Sequence, residues 1–201
     1  MTLEFSIQGN ISPLNERSTI TLSIDFSSPY QQKLVFRTPL KIEPEQWDIE
    51  KQRPLNIYLK KYKKINSKLD ELKIRINQYY KGLNRTGKFP SKRTISREIR
   101  KTCLEKVTSY PELSLLQFIK LYIETKEDVI TSATYKRYRV FMHFIQKFEG
   151  FISERLYVET IDSRFIKNFI SFGKQENYSE NTIYRSIHFI RTILNFAEKK
   201  E

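Results

Sequence analysis

The sequence predicts an α+β protein in which a small three-stranded antiparallel sheet is followed by a basic helical connector and a four-helix bundle. The spacing of apolar residues carries this prediction, because it has a period of two in the first fifty residues and alternates between three and four from Leu55 onward. A Ser-Tyr-Pro sequence at 109–111 is typical of a boundary. We therefore expect three segments, at 1–54, 55–111 and 112–201.

Three runs of alternating apolar and polar residues predict the strands of the sheet, at 3–7, 20–26 and 34–42. Pro39 interrupts the third run, and turn-forming residues lie between the runs at 15–16 and 27–30. Because alternation gives each strand one apolar face, one side of the sheet can pack while the other meets a polar surface. Trp47 is expected to cap the small core beneath the sheet.

Helical spacing predicts six helices after the sheet. The first is a long amphipathic helix from Leu55 to Leu83, and a shorter basic helix follows near Thr94. Ser114, with Gln117 three residues later, predicts a capping box at the start of the bundle. The four helices of the bundle are expected to open near Ser114, Ser132, Asp162 and Ser179.

The composition excludes several classes of protein and of site. No apolar run approaches the roughly 20 residues of a membrane span, and no secretion signal is visible, so we expect a cytoplasmic protein. A single cysteine, Cys103, excludes an internal disulfide and a multi-cysteine zinc site. Five glycines disfavour a phosphate-binding glycine-rich loop, and His143 and His188 are isolated. We expect no cofactor, no metal and no small-molecule substrate.

The positive charge is concentrated in one stretch of sequence. The formal net charge is +13, and the segment 55–111 alone holds 16 basic and 4 acidic residues. A field this localised favours a polyanionic partner, whose affinity comes from phosphate neutralisation and counterion release. A solvated helix face is the plain alternative, and a basic helix at a membrane surface is a weaker third interpretation.

Two helices of the bundle open with the same pattern, Thr131-x-x-Thr134-x-x-Arg137 and Ser179-x-x-Thr182-x-x-Arg185. The first residue can cap the helix, and the later ones lie near amides that carry the positive end of the helix dipole. A hydroxyl and an arginine at such a place can bind phosphate. Two ordinary capped helices remain the alternative.

At this point the sequence resembles the tyrosine recombinases. The resemblance lies in a strand that runs into Pro44-Glu45-Gln46-Trp47-Asp48, a basic helical connector, and a bundle that contains 134–138 and 181–185. More narrowly, the chain is similar to the phage-type integrases of mobile elements in Bacteroides-like bacteria. The resemblance implies an arm-type DNA-binding sheet, a SAM-like core-binding bundle, and a missing catalytic half.

The family's active site uses a tyrosine nucleophile together with a His-x-x-Arg motif. His188-Phe189-Ile190-Arg191 matches that motif, but no tyrosine follows it and thirteen residues remain after His188. We therefore expect no catalytic residues in this chain, although Arg191 can contact phosphate from its helix face.

The resemblance implies that duplex DNA and further copies of the recombinase are the partners. The sheet is expected to contact DNA through Lys33, Arg37 and Lys41. The basic helix is expected to contribute Lys60, Lys64 and Lys68, which supply affinity independent of sequence. The bundle is expected to contribute Thr134, Lys136, Arg137, Tyr178, Asn181, Thr182, Arg185 and Arg191, mostly to the DNA backbone.

Two functions of other classes stay open at this stage. The same modules could form a stand-alone DNA-binding regulator or recombination antagonist. The long helix at 55–83 could instead organise a structural interaction protein, which would form oligomers without DNA. RNA binding is disfavoured because no aromatic strand motif of the RNP type is present.

Overall fold

The computed structural model of the chain describes residues 1–7, 17–26, 32–56, 59–87, 91–105 and 109–200. The turns expected at 15–16 and 27–30 lie outside the described residues. The chain divides into two compact units, 1–106 and 107–201, and the α+β class is confirmed. The helices that we assigned to a separate connector lie within the first unit, because they share a core with the sheet.

The sheet of the first unit has three antiparallel strands in the order β1-β2-β3. The strands are β1 (Thr2–Ile7), β2 (Ser18–Phe26) and β3 (Gln32–Ile42). A second, two-stranded sheet pairs β4 (Trp47–Asp48) with β5 (Arg53–Pro54). As the alternation predicts, the apolar positions of the three strands share one face, which we call the inner face. Its most buried residues are Phe5, Ile20, Leu22, Ile24, Phe26, Phe36 and Ile42.

Strand β3 continues through Pro39, which we expected to interrupt it. The pairing with β2 shifts by two positions between Thr21, opposite Arg37, and Thr19, opposite Lys41. Within this irregularity the hydroxyl of Thr38 donates to the carbonyl of Ile20 (2.7 Å) and accepts from the amide of Leu40 (3.2 Å). A shift of two keeps the alternation of faces, so the strand tolerates a residue without an amide hydrogen.

Two helices of the first unit, α1 (Lys60–Asn84) and α2 (Lys92–Leu104), cover the inner face. Their buried side chains join the sheet residues in one cluster, and Trp47 is buried in the same cluster, as predicted. Helix α1 begins at Lys60, five residues after the predicted start. The helix residues in the cluster are Tyr62, Leu69, Leu72, Ile76, Ile95, Ile99 and Cys103.

The described residues of the second unit form a bundle of four helices, as predicted: α3 (Leu115–Thr125), α4 (Ser132–Ile152), α5 (Ser163–Gln175) and α6 (Glu180–Glu198). Its core is rich in phenylalanine, with ring contacts that link α4 to both α5 and α6. Ser114 caps α3, but the second half of the expected capping box is not formed. The amide of Ser114 instead donates to the carbonyl of Pro111 (3.2 Å).

Glu43 connects the end of β3 to the start of α1. Its carboxylate accepts hydrogen bonds from the ammonium of Lys61 (3.0 Å), the hydroxyl of Tyr62 (3.1 Å) and the guanidinium of Arg17 (3.2 Å). The hydrogen bond from Lys61 is the largest cause that lowers the pKa of Glu43 from 4.5 to about 2. The charged carboxylate therefore stabilises the junction between the sheet and the helix.

We expect the first unit to lose stability as the pH falls from about 4.5 toward 2. In this range Glu43 is protonated in the unfolded chain but is still a carboxylate in the folded protein. Above pH 4.5 the stabilisation is fully present. The fluorescence of Trp47, the single tryptophan, follows denaturant unfolding of this unit alone. Glu43→Gln should be less stable than wild type at pH 7 and equally stable near pH 2, whereas Glu45→Gln should match wild type throughout. A constant difference for Glu43→Gln would contradict the assignment.

Two helical glycines provide a matched test of packing. A Cβ added at Gly173 would lie 2.6 Å from Ile183, while a Cβ added at Gly82 would meet nothing within 4 Å. We expect Gly173→Ala to destabilise the bundle by about 1–3 kcal/mol through overpacking. Gly82→Ala should stabilise the first unit by about 0.5–1 kcal/mol through helix propensity. Thermal unfolding by circular dichroism measures both, and a neutral Gly173→Ala would show that α5 and α6 are not in close contact there.

Candidate nucleic-acid interface

The face of the sheet opposite α1 and α2 carries a row of basic side chains on β3. Lys33, Arg37 and Lys41 are all exposed on this outer face, as the alternation places them. Val35 lies between the first two with 56% of its surface exposed, and Pro39 between the last two is exposed as well. Because β3 is an edge strand of this sheet, the row lies along one border of the outer face.

The charge of the outer face differs between its two ends. At one end Lys33 lies opposite Asp25, and its ammonium is 3.9 Å from the carboxylate of Glu4. Such an exposed pair contributes little to stability, but it partly neutralises this end. At the other end Arg37 lies opposite Thr21, and Lys41 opposite Thr19. Neither of these cations forms an ion pair within the described residues, so the field is most positive at that end.

The start of helix α1 is unusually basic. Lys60, Lys61, Lys63 and Lys64 are exposed in its first two turns, there is no acidic residue in its first turn, and no side chain caps its amides. Four cations beside the positive end of a helix dipole are unfavourable without a negative partner. Of these four lysines only Lys61 pairs with Glu43, which leaves Lys60 and Lys64 without an ion pair among the described residues.

Lys68 lies elsewhere than we expected, because it is buried with 7% of its surface exposed. Its ammonium donates to the carbonyl of Thr102 (2.6 Å) and to that of Glu105, at the C-terminal end of α2. Burial lowers its pKa, and the carbonyls that close α2 occupy its hydrogens. This position removes Lys68 from any DNA-contacting surface and makes it a link between α1 and α2.

In the bundle, the two repeated patterns form two matching helix caps. The hydroxyl of Thr131 accepts from the amide of Thr134 (3.3 Å), and that of Ser179 accepts from the amide of Thr182 (3.3 Å). In each cap the two hydroxyls also hydrogen-bond to each other, at 3.1 Å and 2.9 Å. Thr134 and Thr182 are half-buried and already engaged in these caps.

Helices α4 and α6 run antiparallel, so their two caps lie at opposite ends of the pair. Tyr138 stacks on Phe189 (ring centroids 4.7 Å apart), whereas Phe144, further along α4, packs on Tyr178, before α6 begins. Seven residues separate Thr131 from Tyr138 and ten separate Ser179 from Phe189. At 1.5 Å per residue the caps are about 25 Å apart along the pair.

The two arginines lie closer together than the caps do. Arg137 directly precedes Tyr138, and Arg185 is one helical turn before Phe189, so both lie near the Tyr138–Phe189 stack. Both side chains are exposed. The structure therefore brings the arginines to one level of the bundle, while it separates the hydroxyl groups that precede them in sequence.

Four other expected contacts of the bundle are distributed over different surfaces. Lys136 and Asn181 are exposed, and Asn181 shares the face of Arg185 four residues later. Arg191 is exposed but lies about 120° round the helix from Arg185, at 3.6 residues per turn. Tyr178 is half-buried, and its hydroxyl accepts from the ammonium of Lys147 (2.8 Å) while its ring packs on Phe144.

Sequence reasoning left one basic surface out of the expected contacts. The exposed face of α2 carries Arg93, Arg97 and Arg100, which line a shallow depression together with Thr94 and Ser96. The signal was present, since spacings of four and three place the three arginines on one face.

The described residues contain no cluster of three or more His, Cys, Asp or Glu side chains able to bind a metal. No helix among them combines the length and apolar character of a bilayer span. The thiol of Cys103 is buried in the core of the first unit, and this burial raises its pKa to about 11. A thiol of this kind is a poor nucleophile at neutral pH.

Comparison with protein-family models gives one match in each unit. Residues 13–96 match the arm DNA-binding domain, and residues 114–201 match the phage integrase SAM-like domain. Searches of curated proteins and of solved structures found no match. The narrower similarity to integrases of Bacteroides-like bacteria stays a prediction. With one domain of each kind in this order, the chain is the DNA-binding region of a site-specific integrase.

Proposed function

We propose that the chain binds two kinds of duplex site, with the first unit on arm-type DNA and the bundle on core DNA. The outer face of the sheet is the observation that carries this proposal. It is uncovered by α1 and α2, and it presents Arg37 and Lys41 with no acidic partner among the described residues. A sheet face of this width can enter a major groove, where arginine and lysine bind guanine.

The lysines at the start of α1 have a different role in this proposal. Lys60 and Lys64 are long, exposed and lack ion-pair partners within the described part of the chain. A phosphate near the amides of this uncapped helix end would offset the unfavourable clustering of charge. Their contribution is expected to be independent of sequence and sensitive to salt.

In the bundle, we place the core-site contact around the level of Tyr138 and Phe189. Arg137 and Arg185 contribute the positive charge there, and Asn181 lies on the face of Arg185. Thr134, Thr182 and Tyr178 support this surface through the helix caps and the contact with α4, and Lys136 and Arg191 approach the DNA backbone from its sides. The helix backbones that carry the two arginines are packed together by the Tyr138–Phe189 stack, so DNA binding there needs little rearrangement of the helices.

We propose further that this chain holds DNA without cleaving it. Both matched domains are DNA-binding domains. His188 and Arg191 are exposed on α6, and the His188 ring forms no hydrogen bond with a described residue. The family matches favour the integrase over the stand-alone regulator. Further copies of the integrase on the same DNA are part of this proposal, since resemblance to the family implies them.

The sheet is tested by Arg37→Ala, with Lys51→Ala, at another exposed cation, as a control for charge. The DNA used in the binding assay is a duplex that the wild-type chain selects from a pool of random sequences. Arg37→Ala should weaken binding by about 1–3 kcal/mol if the side chain binds a base. Fluorescence anisotropy measures the affinity, and binding by Arg37→Ala equal to that of Lys51→Ala would exclude the outer face as the contact.

The bundle is tested by Arg137→Ala and Arg185→Ala, compared with Ser179→Ala. Each arginine variant should weaken binding to core-site DNA, by about 1–3 kcal/mol if it contacts a base and by less if it contacts phosphate. Their thermal stability should change by less than about 0.5 kcal/mol, because both side chains are exposed.

We expect the opposite of Ser179→Ala. It removes a helix cap and should lower the free energy of unfolding by about 1 kcal/mol, with only an indirect effect on DNA binding. Thermal melts and binding curves on the same three proteins separate the two roles. If both arginine variants bind core-site DNA like wild type, the bundle meets DNA through another face.

A further inference from the structure

Helix α2 carries a second basic surface, which we call the arginine stripe and define as Arg93, Arg97 and Arg100. The apolar side of α2 is buried in the core of the first unit through Ile95 and Ile99. With 100° between successive residues, the middle of the stripe lies about 150° round the helix from these isoleucines. It therefore points away from the core of the first unit.

The stripe lacks internal negative partners. None of its three guanidinium groups forms an ion pair with a described residue. Glu98, the one acidic residue of α2, is half-buried on another side of the helix. Lys92 and Lys101 are exposed at the two ends of α2 and add to the same field. Five exposed cations on a helix of 13 residues repel one another, and a bound polyanion would remove this repulsion.

The stripe is compact. From Arg93 to Arg100 the helix rises about 10 Å, at 1.5 Å per residue. Three guanidinium groups within this length can each contact a phosphate of the DNA backbone. Arginine binds phosphate through paired hydrogen bonds, and the hydroxyls of Thr94 and Ser96 lie in the same shallow depression.

We propose that the arginine stripe is a third DNA-binding site, which binds the phosphate backbone of a duplex segment other than the one on the sheet. Helices α1 and α2 cover the inner face of the sheet, so the stripe and the outer face lie on opposite sides of the first unit. One straight duplex cannot contact both sides. The first unit would thus hold two DNA segments, one through the sheet and one through α2, independently of the contacts proposed for the bundle.

The test neutralises the stripe in the full chain with Arg93→Gln, Arg97→Gln and Arg100→Gln together. Glutamine keeps the helix propensity, and all three positions are exposed, so folding is preserved. The matched control removes three positive charges elsewhere, with Lys126→Gln, Lys167→Gln and Lys174→Gln, which are exposed and outside every surface proposed above. Thermal melts of both proteins confirm that they are folded.

Binding to a random-sequence duplex is measured at several salt concentrations. Each lost phosphate contact reduces the magnitude of the slope of log K against log salt by about 0.9. The slope of the stripe variant should therefore be smaller in magnitude than that of wild type by about two to three. The control should keep a slope near that of wild type. Equal slopes for the stripe variant and the control would overturn the proposal.

A second measurement locates the duplex on the protein. A photoactivatable label is attached to Ser96→Cys in a Cys103→Ala background. The label should crosslink to the duplex when the three stripe arginines are intact, and it should not crosslink when all three are replaced by glutamine. The crosslink should persist in Arg37→Ala, because that variant disables only the sheet. Failure of Ser96 to crosslink, with binding through Arg37 intact, would reject the stripe and leave the function proposed for the sheet unaffected.

Discussion

The first unit depends on the burial of one face of a three-stranded sheet. So small a sheet is stable only when its apolar face is covered, and α1 and α2 provide that cover with a continuous apolar cluster. Because side chains alternate along a strand, burial of Phe36 on β3 forces Arg37 to the outer face. The same packing therefore creates the core and exposes the basic row. Residues of opposite character, adjacent in sequence, separate into a buried apolar face and an exposed basic face.

Charged residues in this chain have two roles that local sequence does not distinguish. Lys64 and Lys68 are four residues apart on one helix, yet the first is exposed and the second is 7% exposed beneath the end of α2. Lys68 satisfies carbonyls that the end of α2 leaves without helical partners. Glu43 similarly offsets part of the positive charge at the start of α1. Both interactions join segments that are distant in sequence.

In the bundle, aromatic packing relates the positions of residues on α4 to those on α6. The stack of Tyr138 on Phe189 sets the register between α4 and α6. Because the helices are antiparallel, this register places Arg137 and Arg185 near one level and moves the two caps about 25 Å apart. The repeated motif therefore forms two separate helix caps, and its two arginines are exposed on different helices.

The sequence by itself determined the class of fold, the strands and helices, the helix caps at Thr131 and Ser179, and the DNA-binding family, because these depend on short-range periodicity and on local motifs. Only the tertiary structure decided that Lys68 is buried, that β3 continues through Pro39 and that the arginines of α2 share one exposed face away from the sheet. These outcomes depend on which distant segment packs on each residue. Burial and hydrogen-bond partners of a side chain are set by that packing, and the spacing of residues along the chain does not specify it.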